Sequence, residues 1–158
     1  MKKAKATVLT CGDYRIQETV HRWLAENGYF GKSDEIIVFG GTRDLVKPLD
    51  DDHFEYLLRQ LELSVEMHDP DEILLIDHQD CGGYGIDATI ECGQDLQDDK
   101  RCHERFSALA KELIEARFPD RAVKCCYVDL PGSVSQINFD EASVEGREIE
   151  KDDDDDND

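Results

Sequence analysis

Residues 7–17 read TVLTCGDYRIQ. A β-forming, largely apolar run halts at Cys11, Gly12 and Asp13, and Ile16, Val20, Trp23 and Leu24 then recur at helical spacing until Asn27-Gly28, a C-cap signal. A strand that yields to a helix so quickly opens a βαβ unit, and the rest of the chain keeps that rhythm. EIIVFGG (35–41) predicts a second strand ending in two glycines. DDDHFEYLLRQLELSVEMHD (50–69) begins on an Asp cap and places Phe54, Leu57, Leu58, Leu61 and Val65 on one helical face. DEILLID (71–77) is a third strand, followed by HQDCGGYG; a helix with Phe106, Leu109, Ala110, Leu113 and Ile114 in phase follows, and AVKCCYVDL (122–130) is a fourth strand. The expected fold is therefore α/β in three layers, a mostly parallel four- to five-stranded sheet with helices on both faces.

At 158 residues the chain is sized for one domain, expected over 1–150, with 131–150 as a partly ordered C-terminal extension and 151–158 as a free acidic tail. The formal net charge of −20, from 38 Asp and Glu against 18 Lys and Arg, argues against binding to nucleic acid or to an anionic membrane surface. That acidity has two readings, a solvated face with its tail or adaptation to high salt. No apolar run is long enough to span a bilayer, and the N-terminal stretch carries no apolar segment of a secretory kind, so a cytoplasmic protein is expected. In that setting the six cysteines read as thiols, metal ligands or core residues ahead of a disulfide frame.

Sites in parallel sheets lie at the carboxyl ends of strands, near the point where crossovers diverge to opposite faces. Cys11 follows the first strand, Gly40 and Gly41 close the second, and His78 follows the third with Cys81 three residues on. If the first and third strands are neighbours, their ends lie about 5 Å apart and the three side chains can converge. Two thiolates and an imidazole suit zinc, and a ligand set of three leaves one tetrahedral position open for chemistry. Asp13 is the possible fourth ligand that would close it.

Cys11, Asp13 and Arg15 in CGDYR, with His78 and Cys81 in HQDCGG, resemble the two signature motifs of the β-class carbonic anhydrases in order, in placement after strands one and three, and in the glycine after the second cysteine. The resemblance implies that Cys11, His78 and Cys81 bind one Zn2+ per chain and that Asp13 and Arg15 form a dyad controlling the fourth position. It implies a carbonate dehydratase, a lyase in which water activated by the metal attacks carbon dioxide to give bicarbonate, and a homodimer or higher homo-oligomer. Carbonyl sulfide or carbon disulfide hydrolysis on the same fold is the near alternative, and a non-catalytic zinc or binding module with a closed site is the distant one. Where family members carry an Arg-Asn-Ala-Gly-like segment, this chain has Val38-Phe39-Gly40-Gly41. The pocket is expected from Phe39, Gly40, Gly41, Gly82 and Tyr84, with Phe39 and Tyr84 as apolar walls.

Each of these residues also has a plainer role open to it. Asp13 just before a helix is a favoured N-cap, and Arg15 in the first turn opposes the macrodipole unless something compensates it. The glycines can serve turns alone. Cys125 and Cys126 are adjacent on a strand, point to opposite faces and belong to the core. Cys92, Cys102 and His103 would make a poor second metal site, lacking a fourth ligand.

Overall fold

The computed structural model describes residues 2–86, 90, 92, 95–130 and 132–139. The leading strand β1, Ala6–Thr10, is buried along its whole length. Asp13 caps helix α1, Tyr14–Glu26, and the second strand β2 runs Ser33–Ile37. The turn after β2 leads into the short α2, Arg43–Val46, and then α3, Asp51–His68, capped by Asp50. Strand β3, Glu72–His78, is followed by the single turn α4, Gly82–Gly85, by α5, Leu96–Arg117, and by β4, Ala122–Asp129, and β5, Ser133–Gln136.

The sheet order is β2-β1-β3-β4-β5. The first four strands are parallel and β5 is antiparallel to β4. Alternation sorts the strand side chains. Ala6, Val8, Leu74, Ile76, Cys126 and Val128 face α1, where they meet Ile16, Val20 and Leu24. Leu9, Ile73, Leu75, Val123, Cys125 and Tyr127 face the opposite layer, formed by Leu57 and Leu61 of α3 and Ala110 and Ile114 of α5. β1 and β3 are buried on both sides, which is why Val8-Leu9 and the run 73–76 are consecutive apolar residues. Cys125 and Cys126 fall in opposite cores, as their adjacency requires.

One expectation needs correction. The second strand begins two residues earlier than expected and ends at Ile37, short of the glycines. Val38 still donates to the Thr10 carbonyl at 3.0 Å, but Gly41 turns back to the Val38 carbonyl at 3.1 Å, and Gly40 and Gly41 both take positive φ. These glycines form a turn over the sheet edge, a conformation that L side chains adopt at a cost. The fifth strand of the sheet comes from the expected partly ordered C-terminal extension, because the free edge of β4 offers unpaired backbone groups that Ser133–Gln136 satisfies. The acidic tail, 151–158, lies outside the described residues. Among the described residues no helix is long and apolar enough to cross a membrane.

Candidate metal centre

β1 and β3 pair in register from Ala6↔Glu72 to Thr10↔Ile76, so their carboxyl ends finish side by side. β1 sends its crossover through α1 on one face to β2, and β3 sends its own through α5 on the other face to β4, which makes the β1/β3 boundary the switch point. Cys11 leaves one strand there, His78 ends the other, and the turn after His78 brings Cys81 back. The three ligand atoms lie within 4.8 Å of one another, and all three residues are buried. The two Sγ atoms are 3.7 Å apart.

That spacing suits a metal. Two zinc–sulfur bonds of about 2.3 Å at a tetrahedral angle place the sulfurs about 3.7 Å from each other. The His78 Nδ1–H donates to the Gln79 carbonyl at 2.8 Å, which fixes the ring and turns Nε2 inward. Nε2 is then fully buried and has no hydrogen-bond partner. A buried lone pair beside two thiols, with nothing to accept, is what a metal ligand looks like before the ion is added.

The charges fit as well. The Cys11 thiol is held well below the usual thiol range, chiefly by the hydrogen bond from Cys81, against the cost of burial, with help from His78 and the Gly40 N–H. The Gly40 N–H points at the Cys11 Sγ from 3.4 Å. Cys81 is pushed up, first by sharing its proton with Cys11 and then by burial. Burial opposes a charge on His78, but the Cys11 sulfur outweighs it and raises the ring. A divalent cation bound there would draw the shared proton off the pair of sulfurs.

Asp13 and Arg15 stand at the rim. Asp13 caps α1 by accepting from the Arg15 backbone N–H at 2.9 Å, so the capping role and the dyad coexist in one side chain. Its carboxylate also takes Arg15 Nε at 3.1 Å and Nη2 at 2.7 Å. The guanidinium holds the Asp13 carboxyl down to about 2. Asp13 Oδ2 is 4.0 Å from His78 Nε2.

The expected pocket residues divide. Phe39 is 73% exposed and its ring lies over Gly12, where an added Cβ would be 3.5 Å from Phe39 Cε1. Phe39 also lines a cavity of about 470 Å3 together with Leu49, Tyr56 and Ile86. Gly82 faces open space. Gly83 instead packs on the turn, since a Cβ there would stand 2.6 Å from Gly40 N. Tyr84 is 2% exposed and is no wall: its hydroxyl donates to Asp77 at 3.2 Å and its ring packs on His103 and Phe106. The mixed polarity of Tyr suits either place, and Asp77 in the core decides it.

The sequence reading missed the polar group beneath the metal cluster. Asp77 Oδ2 accepts from Thr42 Oγ1 at 2.5 Å and from Ser107 Oγ at 2.9 Å, as well as from Tyr84. The one available signal was an Asp inside the apolar run ILLID. Cys92 and Cys102 are joined in a disulfide, a correction to the reading of six thiols, ligands or core residues. The His103 ring turns instead toward Asp77 and Asp99, at 4.0 and 3.6 Å.

Known proteins agree with this architecture. The fold is similar to a chain from the crystal structures of two tetrameric β-carbonic anhydrases of Sordaria macrospora, with a TM-score of 0.62 and 14% identity over 88% of this chain and 83% of that one. It is similar to the β-carbonic anhydrase CafA of Aspergillus fumigatus, with a TM-score of 0.52 and 15% identity over 92% of this chain and 82% of the other. By sequence it is 23% identical over 141 residues to an uncharacterized protein of Rickettsia conorii, covering 87% of this chain and 74% of that protein. An uncharacterized protein of Rickettsia bellii is 20% identical over 137 residues, 87% of this chain and 84% of its own length. A family model described as "Putative carbonic anhydrase" matches residues 1–138, nearly all that the structure describes, including both strand ends that carry the cluster. By that match the chain belongs to this carbonic anhydrase family.

Proposed function

We propose that the protein catalyses the reversible hydration of carbon dioxide to bicarbonate, with one Zn2+ held by Cys11, His78 and Cys81. The observation that carries this reading is the buried, unpartnered His78 Nε2 facing two sulfurs at zinc spacing. Zinc bound there supplies Lewis acidity, which makes water a nucleophile near neutral pH.

The chain's own residues do the rest. The Gly40 N–H steadies the Cys11 thiolate, and the Gln79 carbonyl fixes the His78 ring. Asp13, ionised and aimed at the fourth position, accepts a hydrogen bond from whatever reacts there and orients it. Arg15 keeps that carboxylate from becoming a fourth ligand itself, because two of its nitrogens already engage both oxygens. Phe39 and Gly12 offer an apolar surface to a small, linear, nonpolar substrate. The restraint on Asp13 favours an open catalytic site over a closed binding module.

The exposed apolar side chains Phe39, Leu49, Tyr56 and Ile86 around one cavity suit burial by a second copy, and we propose a homo-oligomer. The test combines elemental analysis with stopped-flow hydration assays on carbon dioxide and carbonyl sulfide between about pH 6.5 and 9. One zinc per chain with carbon dioxide turnover is expected. Turnover of carbonyl sulfide alone would move the reading to the sister hydrolases, and zinc without turnover of either would make the protein a binding module.

A further inference from the structure

Arg15 does not hold Asp13 alone. Its Nη1 donates to Asp80 Oδ2 at 2.9 Å and its Nη2 to the Asp80 carbonyl at 2.8 Å. Asp80 belongs to the turn between the ligands His78 and Cys81, and it has φ of 53°, in the left-handed region that Asp tolerates at some cost. In this turn Asp80 presents both its carbonyl and its carboxylate to the same guanidinium.

Something must hold that turn, and the backbone N–H of Asp80 shows what does. It donates to Asp99 Oδ2 at 3.1 Å, on the first turns of α5. The same oxygen accepts from the Tyr127 hydroxyl of β4 at 2.8 Å, and the other carboxylate oxygen stands 3.6 Å from the His103 ring. Asp99 is thereby fixed by α5 and β4, two elements that contribute no metal ligand.

We propose that Asp99 is a positioning residue for the metal site: by gripping the Asp80 amide it sets the turn that seats Arg15, and through Arg15 it keeps Asp13 off the fourth position. The contacts run in an unbroken series from Tyr127 through Asp99, Asp80 and Arg15 to Asp13, with 2.8, 3.1, 2.9 and 2.7 Å at successive links. Asp99 touches no ligand atom, so its effect is on geometry alone. The meaning of this for catalysis rests on the function proposed above, whereas the positioning itself does not.

The first measurement is therefore independent of turnover. In full-length 15N-labelled zinc protein, the exchange of the Arg15 Nε–H with water is followed by NMR, the signal being assigned by its loss in Arg15→Lys. Asp99→Ala should speed that exchange about tenfold or more, while Asp99→Asn, which keeps an oxygen for the Asp80 amide, should stay within about threefold of the parent. Should Asp99→Ala fail to fold, Tyr127→Phe keeps the buried ring and frees Asp99 of one anchor, and exchange should rise about twofold to fivefold. Unchanged exchange in Asp99→Ala, or in Tyr127→Phe where it has to substitute, overturns the proposal.

The second measurement reads the fourth position. In Co2+-loaded protein the visible spectrum reports thiocyanate binding, and Asp99→Ala should weaken that binding about tenfold or more because Asp13 competes for the metal. Adding Asp13→Asn to Asp99→Ala should restore it, which general loosening of the fold would not allow. Absence of restoration would overturn the link to Asp13. Failure of the parent protein to bind the anion at all would sink the open catalytic site while leaving the exchange result to judge Asp99.

Discussion

Asp13 Oδ2 stands 4.0 Å from His78 Nε2, near enough to reach a metal held by that nitrogen, while both Asp13 oxygens are bound by Arg15. The cap of α1 and the proposed control of the fourth position thus fall to one carboxylate, and substitutions can separate the two roles.

Asp13→Asn keeps an oxygen for the cap at the Arg15 N–H but removes the charge. Zinc content and melting temperature should be retained, and carbon dioxide hydration should fall about 100-fold. Stopped-flow turnover equal to the parent's would refute the role given to Asp13.

Adjacent glycines should respond oppositely. Gly82→Ala adds its methyl to open space and should leave stability unchanged. Gly83→Ala would drive a Cβ against the backbone of Gly40, displace the N–H that steadies Cys11, and cost at least about 2 kcal/mol together with zinc affinity. Denaturant melts of both variants, read with zinc titrations, check this.

Asp77 receives three buried hydroxyl donors, from Thr42, Tyr84 and Ser107. Asp77→Ala leaves them unanswered in the core, and a loss of about 3 kcal/mol or more is expected. A denaturation midpoint within error of the parent's would show that the group is not the anchor described here.

Acid should weaken the contact between α5 and the ligand turn. Burial pushes the Asp99 carboxyl up, but His103, the Asp80 amide and Tyr127 outweigh it, so its folded pKa is lowered. A depressed carboxylate contributes stability above its unfolded value of about 3.9 and loses it as the pH falls through the folded value. The groups facing it are His103 from α5, Tyr127 from β4 and the Asp80 amide from the turn after His78. The stability gap between the parent and Asp99→Asn should be full near pH 6 and shrink below about pH 4. A gap that does not change with pH in urea melts would contradict the lowered carboxyl.

Chelation offers a direct check on the cluster. Removing the ion restores one buried unpaired nitrogen and a protonated thiol, so the apoprotein should melt about 5 to 10 °C lower than protein with zinc in excess, and readdition should recover the difference. Cys81→Ser should abolish that recovery.

Much of this was legible in the sequence because it depends on near neighbours. The strands ATVLT and DEILLID, the Asp caps at 13 and 50, and the helical spacing of Leu57 and Leu61 each follow from a few consecutive residues. The motifs CGDYR and HQDC also name the donor types, since soft sulfur and imidazole suit one kind of ion. β5 escaped notice because SVSQ has little strand character of its own and is ordered by the edge of β4.

The sequence by itself determined the alternation of strand and helix, and with it the strand ends at which Cys11, His78 and Cys81 had to lie. Only the tertiary structure decided that Tyr84 would turn inward to Asp77, that Cys92 would pair with Cys102, and that Asp99 would reach the turn between the ligands. The physical reason is range. Periodicity and capping act within one or two helical turns, whereas a buried carboxylate takes its donors from whichever elements the packing brings within about 3 Å, and no local pattern records that meeting.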